Sequence, residues 1–263
     1  MYAAFFRSAF HTRLTYRGQV IALVMYGLIA VLTKIAIWIS IYGQLENGVA
    51  NGVSRDEMVT YAVLAGMVLN WDYTRFLQTL GHQIKSGDVA TFLLKPVHYP
   101  LILLAAECGN FAFGLLCVQL PITIVAGLTY GLTAPASALA GAMAVGFWGL
   151  GFVILFLLSS IAAVLAFWLL TVFSLEWILM ALMTILAGGA VPLWFFPQAA
   201  ADIIQRLPFS YVAYHPMAVY LGKVGGEEIV VRLLFGAGWA IILAATLMLI
   251  WSRTQRRIVV QGG

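Results

Sequence analysis

Six apolar runs, each long enough or nearly long enough to cross a lipid bilayer, dominate the sequence. Lipid offers no hydrogen-bonding partner to backbone N–H and C=O groups, so a crossing segment must satisfy them internally, as a helix of about 20 residues does. We therefore predict an all-α polytopic membrane protein with six transmembrane helices. The predicted spans are Val20 to Tyr42, Met58 to Leu80, Leu101 to Tyr130, Ala138 to Leu170, Trp177 to Phe195 and Val230 to Trp251.

The composition excludes an ordinary water-soluble domain. Hydrophobic residues make up 63% of the chain and charged residues only 9%, whereas soluble domains carry about 25% charged residues on a solvated surface. No change in composition marks a second domain. We treat residues 1–263 as a single transmembrane domain.

Arginines flank the membrane-spanning region at both ends of the chain. They are Arg7, Arg13 and Arg17 before the first span and Arg253, Arg256 and Arg257 after the last. Positive residues beside spans favour the cytoplasmic side, so both termini are predicted to be cytoplasmic and the number of spans to be even. A division of residues 101–170 into three shorter spans at Pro121 would make that number odd, and six spans are therefore favoured.

The loops agree with this orientation. Lys85 and Lys95 fall on the cytoplasmic side, while the mixed or acidic loops at residues 46–57 and 202–228 fall outside. The formal net charge of +4 is thus explained by topology, and we expect no nucleic-acid partner.

Residues 1–17 have the pattern of a helix lying in the membrane surface. Phe6, Phe10 and Leu14 recur every four residues, and the arginines occupy other faces. This spacing favours an interfacial elbow helix over a disordered basic leader.

The cytoplasmic loop at residues 81–100 has room for a short helix. Ser86 or Gly87 can begin it, Asp88 suits its N-terminal end, and Pro96 ends it. Val89, Phe92 and Leu93 would form an apolar stripe about two turns long, too short to be stable alone. A groove on another protein could hold this stripe, or the loop could fold back on its own spans. The sequence leaves both alternatives open.

Residues 188–226 form an irregular segment after the fifth span. Gly188 and Gly189 interrupt an apolar run, and four of the eight prolines follow soon after. Broken backbone at membrane depth must lie against protein or a wet cavity, so we predict an outer re-entrant hairpin. Its aromatic residues could form an outer gate or an ordinary interfacial aromatic belt. These candidates are Trp194, Phe195, Phe196, Phe209, Tyr211 and Tyr214.

Charged residues at membrane depth are costly and are candidates for function, as each costs at least about 2.5 kcal/mol to insert. Lys34 lies about 12 Å below the outer end of its span, close enough to extend outward, and Glu107 lies about 10 Å from the inner end of the third span. The two are not level, so a direct pair is disfavoured. Glu107 is expected to meet Arg75 or Asn70 instead. Asp72 completes the group of charged residues, for which structural pairing is favoured over a transport role.

Motifs for catalysis are absent from the sequence. There is no glycine-rich phosphate loop ending in Lys-Ser/Thr, no His-Glu-x-x-His zinc motif and no Gly-x-Ser-x-Gly nucleophile turn. We expect neither enzymatic activity nor a metal or cofactor in this chain.

Nearly the whole chain resembles the permease subunits of type-2 ABC exporters, especially their less characterised six-span branch, and two segments are the most specific part of this resemblance. The segments are Ile84 to Asp88 with Leu93 to Pro96, and Leu207 to Phe209 through Pro216 to Lys223. The resemblance implies an elbow helix, a coupling helix after the second span and a re-entrant hairpin before the sixth. It also implies that two permeases, identical or homologous, assemble with two cytoplasmic ATPase subunits, which bind the ATP and magnesium.

The resemblance assigns coupling to the ATPase to residues of the cytoplasmic loop. These are Lys85, Ser86, Asp88, Val89, Phe92, Leu93 and Lys95. The expected function is the membrane half of an ATP-driven exporter in the inner (plasma) membrane of a prokaryotic cell. The alternatives are a secondary transporter driven by an ion gradient, which should show paired midplane charges and internal repeats, and a membrane scaffold without transport.

Overall fold

The computed structural model describes residues 2–45, 48–86, 89, 98–169 and 172–261, and these residues are mostly helical. The helices are α1 (Tyr2–Thr15), α2 (Arg17–Tyr42), α3 (Arg55–Leu64), α4 (Gly66–Leu69), α5 (Tyr73–Ser86), α6 (Tyr99–Phe113), α7 (Leu120–Tyr130), α8 (Ala138–Leu169), α9 (Phe173–Leu186), α10 (Gln198–Ile204), α11 (Tyr214–Tyr220) and α12 (Glu227–Gln261). A π-helical turn (Gly114–Gln119) joins α6 to α7, and short 3-10 turns lie at Leu193–Phe195 and Pro208–Tyr211. Strands β1 (Val49–Ala50) and β2 (Val53–Ser54) form a small antiparallel hairpin.

Four helical stretches are long and apolar enough to cross a membrane. They are Arg17–Tyr42, Tyr99–Tyr130, Ala138–Ala166 and Glu227–Thr254. They coincide with the first, third, fourth and sixth predicted spans. The prediction of an all-α polytopic membrane protein is confirmed at this level.

The second predicted span, Met58 to Leu80, is not one helix. It is divided among α3, α4 and α5, with an interruption at residues 70–72. Asp72 favours this break because its carboxylate accepts a hydrogen bond from the backbone N–H of Arg75 (3.3 Å) and so caps the start of α5. The sequence carried a sign of this break, because Asn70, Asp72, Arg75 and Gln78 cluster toward the C-terminal end of the predicted span.

The fifth predicted span, Trp177 to Phe195, is also shorter than expected. Helix α9 has 14 residues, about 21 Å at 1.5 Å per residue, against a hydrocarbon core of about 30 Å. It ends before Gly188, which has a φ of +76°, a conformation open to glycine at little cost. The number of membrane crossings therefore stays a prediction.

The loops predicted to face outward meet at one end of the helix bundle. The amide of Asn51, in the β1–β2 turn, donates to the carbonyl of Trp194 (2.8 Å). The hydroxyl of Tyr220 donates to the carbonyl of Thr133, in the loop between α7 and α8 (3.1 Å). Three segments distant in sequence thus share one end, which we call the outer end.

The segments predicted to be cytoplasmic meet at the opposite end. Tyr99, at the start of α6, stacks on Trp251 near the end of α12 with ring centroids 5.9 Å apart. The amide of Gln78 in α5 donates to the carboxylate of Glu176 in α9 (2.6 Å). We call this the inner end.

Helix α8 is the centre of the bundle. It packs against α5, α11 and α12. In its most apolar 18-residue stretch 67% of the residues are buried, compared with 11% in the corresponding stretches of α2 and α12. Helices α2 and α12 therefore expose broad apolar faces to lipid or to a partner.

Candidate functional site

The break between α4 and α5 lies beside the π-helical turn that joins α6 to α7. The side-chain amide of Asn70 donates a hydrogen bond to the Gln119 side chain. Gln119 is buried, and its Nε2 donates to the carbonyl of Val63 (2.9 Å). The side chains of the two irregular stretches thus hydrogen-bond to each other, and Gln119 also satisfies a backbone carbonyl near the end of α3, as a broken helix in lipid requires.

A cluster of four charged residues lies on the inner side of this break. Asp72 Oδ2 lies 3.5 Å from the guanidinium of Arg13 and 3.3 Å from that of Arg75. Arg75 also lies 4.0 Å from Glu107 Oε1. The cluster joins α1, α5 and α6, and its two cations match its two carboxylates.

Glu107 is the buried member of this cluster, with 7% of its surface exposed. The indole N–H of Trp71 donates to Oε2 and the amide of Asn110 donates to Oε1, both at 3.0 Å. Arg75 is the neighbour that the sequence led us to expect, whereas Asn70 points to Gln119 instead. These contacts indicate that Glu107 anchors the cluster structurally.

An open groove of about 440 Å³ runs along α2 from the charge cluster toward the outer end. From Leu23 to Lys34 the helix wall rises roughly 16 Å. The opposite wall is the break in the second predicted span together with the start of the π-helical turn. Tyr26, Asn70 and Asp72 on the rim are exposed, so the groove opens to the surroundings of the chain.

Lys34 lies at the outer part of this groove. Its ammonium donates a hydrogen bond to the carbonyl of Gly189 (3.3 Å), and it forms no ion pair with a carboxylate of the described residues. The predicted absence of a Lys34–Glu107 pair therefore holds within this part of the chain. The sequence could not predict the contact with Gly189, which lies on the irregular segment after α9.

Aromatic residues of that segment pack between α2 and α3. The ring of Trp194 meets that of Tyr61 edge to face, with centroids 5.1 Å apart, and is tilted against that of Tyr214, with centroids 5.4 Å apart. Phe195 stacks on Trp38 of α2 (5.3 Å). These rings fill space inside the outer end of the bundle.

The remaining predicted gate residues lie elsewhere at the outer end. Tyr211 is buried, and its hydroxyl donates to the carbonyl of Arg232 (2.9 Å) on the α12 side. Phe196 and Phe209 are half-buried and border the hydrophobic core. Ring contacts through Tyr214 and His215 connect Trp194 with Tyr211. The role of the six aromatic residues as a gate stays a prediction.

A polar network beside Tyr211 was not singled out by the sequence. The guanidinium of Arg232 lies 3.1 Å from Nδ1 of His215, and Nε2 of His215 lies 2.8 Å from the carbonyl of Gln205. Arg232 also donates to Glu228 (2.7 Å). Isolated histidines and arginines carry no spacing signal, so only the fold brings these residues together.

The predicted coupling segment is described only in part. Helix α5 ends at Ser86, which is exposed. We expected Val89 to contact a partner, but its side chain is fully buried in the core of this chain. The side chain of Lys85, and residues Asp88, Phe92, Leu93 and Lys95, lie outside the described structure.

Comparison with known families identifies the family of this chain. The model of a family described as ABC-2 family transporter protein matches residues 28–262, which is most of the chain. The chain therefore belongs to this family. It is a multi-pass membrane permease of the ABC transporter class. Searches of curated proteins and of solved structures found no match.

Proposed function

We propose that this chain is the permease subunit of an ATP-driven exporter in the inner (plasma) membrane of a prokaryotic cell. The supporting observation is the groove along α2, which leads from the charge cluster to Lys34, whose ammonium donates a hydrogen bond to Gly189 of the irregular segment. Broken helices that line a cavity are the usual way in which a membrane protein places polar backbone at depth. Family membership supports the transport role.

The groove is open on one side, and we propose that a second permease, identical or homologous, closes it. The α2 face next to the groove exposes large apolar side chains, among them Ile21, Met25, Tyr26 and Ile29. A partner helix could bury this face and complete a pathway between the two subunits. The aromatic residues at the outer end would then cap the exit of that pathway.

Energy would come from two cytoplasmic ATPase subunits, which bind ATP and magnesium in place of this chain. We propose that the loop after α5 transmits their closure to the permease. Because Val89 is buried in the permease core, the ATPase-facing contacts in this proposal belong to Phe92 and Leu93, with Lys85, Ser86, Asp88 and Lys95 beside them. Movement of this loop would then reach the groove through α5.

Co-expression with the candidate ATPase tests the proposal. The Phe92→Asp substitution should abolish co-purification and ATP-dependent transport, since it places a charge in an apolar contact. Ile203→Asp is the matched control because Ile203 is 66% exposed and lies at the outer end. It should leave ATPase binding unchanged.

Two results would contradict the proposal. Full ATP-dependent transport by the Phe92→Asp protein would remove the coupling assignment. Transport that persists without any ATPase, and that follows an ion gradient, would favour a secondary transporter. If neither ATP-dependent nor gradient-driven transport is found, a scaffold is favoured.

A further inference from the structure

The groove along α2 is lined by a cation, Lys34, that forms no ion pair with any carboxylate of the described residues. Among its lining residues, Arg13 is paired with Asp72. Asp72 is in turn paired with Arg75. Lys34 has only the neutral carbonyl of Gly189 as a described hydrogen-bond partner. Within the described structure, the groove therefore has an excess positive charge at Lys34.

This arrangement is costly unless something else offsets it. A charge in the hydrocarbon region is costly, and such residues usually pair with another charge or face a pathway. Lys34 lies about 12 Å below Tyr42, so it remains well inside the predicted first span. One hydrogen bond to a neutral carbonyl leaves the ammonium able to take an anionic partner.

The walls of this groove are more apolar than polar, and Asn70, Thr74 and Asn110 are among the polar residues that line it. Leu23 and Val31 line the α2 side, and Leu69, Phe113 and Val118 line the opposite side. The apolar part of these walls offers a small hydrated anion nothing in exchange for its water. A ligand with an acidic head and a hydrocarbon tail would satisfy both the cation and the walls.

We propose that this groove binds an anionic amphipath and that the Lys34 ammonium recognises its acidic head. The inference deepens the proposed function and rests on it for the view that the ligand is cargo. Lys34 also links the groove to the outer end, because the carbonyl that it holds belongs to Gly189. An anion that attracts the ammonium would weaken this contact and so couple binding to the segment after α9.

Fluorescent probes with matched tails test the proposal on the full chain in phosphatidylcholine nanodiscs, without ATPase. We would compare dansyl-undecanoic acid with its methyl ester, which has the same tail and no charge, and with dansylglycine, which has the charge and no long tail. The acid should bind at least about tenfold more tightly than either, as expected for a charge-assisted hydrogen bond combined with apolar burial.

Two variants separate recognition from structural support. Lys34→Met should abolish the preference for the acid over the ester, and Lys34→Arg should retain it. Lys223→Met is the matched control, because Lys223 is paired with Glu57 at the outer end (2.8 Å) and does not line the groove. It should leave the preference unchanged.

The outcomes are distinct from those of the exporter test. If Lys34→Met unfolds more easily but keeps the acid preference, Lys34 only supports the backbone at Gly189 and the proposal is wrong. Equal binding of dansylglycine would identify a water-soluble anion and also overturn it. An intact acid preference in a protein that binds no ATPase would leave this inference standing and remove the exporter proposal.

Discussion

At the residue scale, the network at His215 shows how the fold selects one protonation state. A guanidinium can only donate hydrogen bonds, so Nδ1 of His215 must accept from Arg232 and Nε2 must carry the hydrogen that is donated to Gln205. Burial lowers the pKa of His215, the Gln205 carbonyl opposes this shift, and the charge of Arg232 lowers the pKa further, to about 3. His215 is therefore neutral in the folded protein.

This pKa predicts a loss of stability in acid. A folded-state pKa of about 3 lies below the ordinary value of 6.5, so the unfolded chain binds the proton first. The contribution of neutral His215 to the free energy of unfolding is complete above about pH 6.5 and is lost as the pH falls toward about 3. Unfolding temperatures measured between pH 7.5 and pH 5 should fall less for His215→Asn than for the natural protein.

His82→Asn is the control, since His82 is exposed on α5. It should show the pH dependence of the natural protein. If His215→Asn also keeps the full pH dependence of the natural protein, then protonation of His215 does not cause the loss of stability in acid. The comparison is made between variants because Tyr211, Tyr214 and Glu228 lie near the same network.

At the scale of helices, close backbone contacts position the outer segment, which is the irregular region at residues 188–226, on α8. A Cβ built at Gly151 would lie 2.4 Å from the carbonyl oxygen of Tyr211 and 3.1 Å from the Cα of Val212. Both neighbours are backbone atoms, which cannot rotate away as a flexible side chain could. The absence of a side chain at Gly151 is thus what allows the outer segment to approach α8.

Gly151→Ala should displace this segment and destabilise the protein by about 1–3 kcal/mol, the usual cost of overpacking. Gly149→Ala is a close control on the same helix, because a Cβ there would meet nothing within 4 Å. Alanine favours a helix by up to about 1 kcal/mol over glycine, so Gly149→Ala should be neutral or stabilising. Equal unfolding temperatures for the two variants would argue against the contact.

At the scale of the whole molecule, the grouping of loops at two ends supports the predicted six-span topology. The loop that contains Thr133 joins the outer group through Tyr220. The start of α6 joins the inner group through Trp251. An even number of crossings with both termini in the cytoplasm is consistent with this arrangement and with the arginines at both ends.

Single cysteines at the two ends test the topology. In a background with Cys108 and Cys117 replaced by alanine, Ala134→Cys should react with a membrane-impermeant maleimide in intact cells, because Ala134 is exposed in the outer loop. His82→Cys should react only after the cells are opened. The reverse pattern would invert the orientation, and labelling of both from outside would contradict an even span number.

Local properties of the chain were sufficient to predict its class and its longest helices. Apolar run length predicted the helices at Arg17–Tyr42, Tyr99–Tyr130, Ala138–Ala166 and Glu227–Thr254, because the backbone has no partner in lipid other than itself. Helical rise along each span also predicted that Glu107 would not meet Lys34 and could meet Arg75.

The candidate site depends on contacts that no local pattern contains. Lys34 and Gly189 are separated by 155 positions, and Arg232 reaches His215 from a different helix. Gln119 of the π-helical turn accepts a hydrogen bond from Asn70 in the interruption at residues 70–72, and no pattern within the second predicted span reveals this partner. Periodicity reports which face of one helix is apolar, whereas a groove and its unpaired cation arise from how several helices pack together.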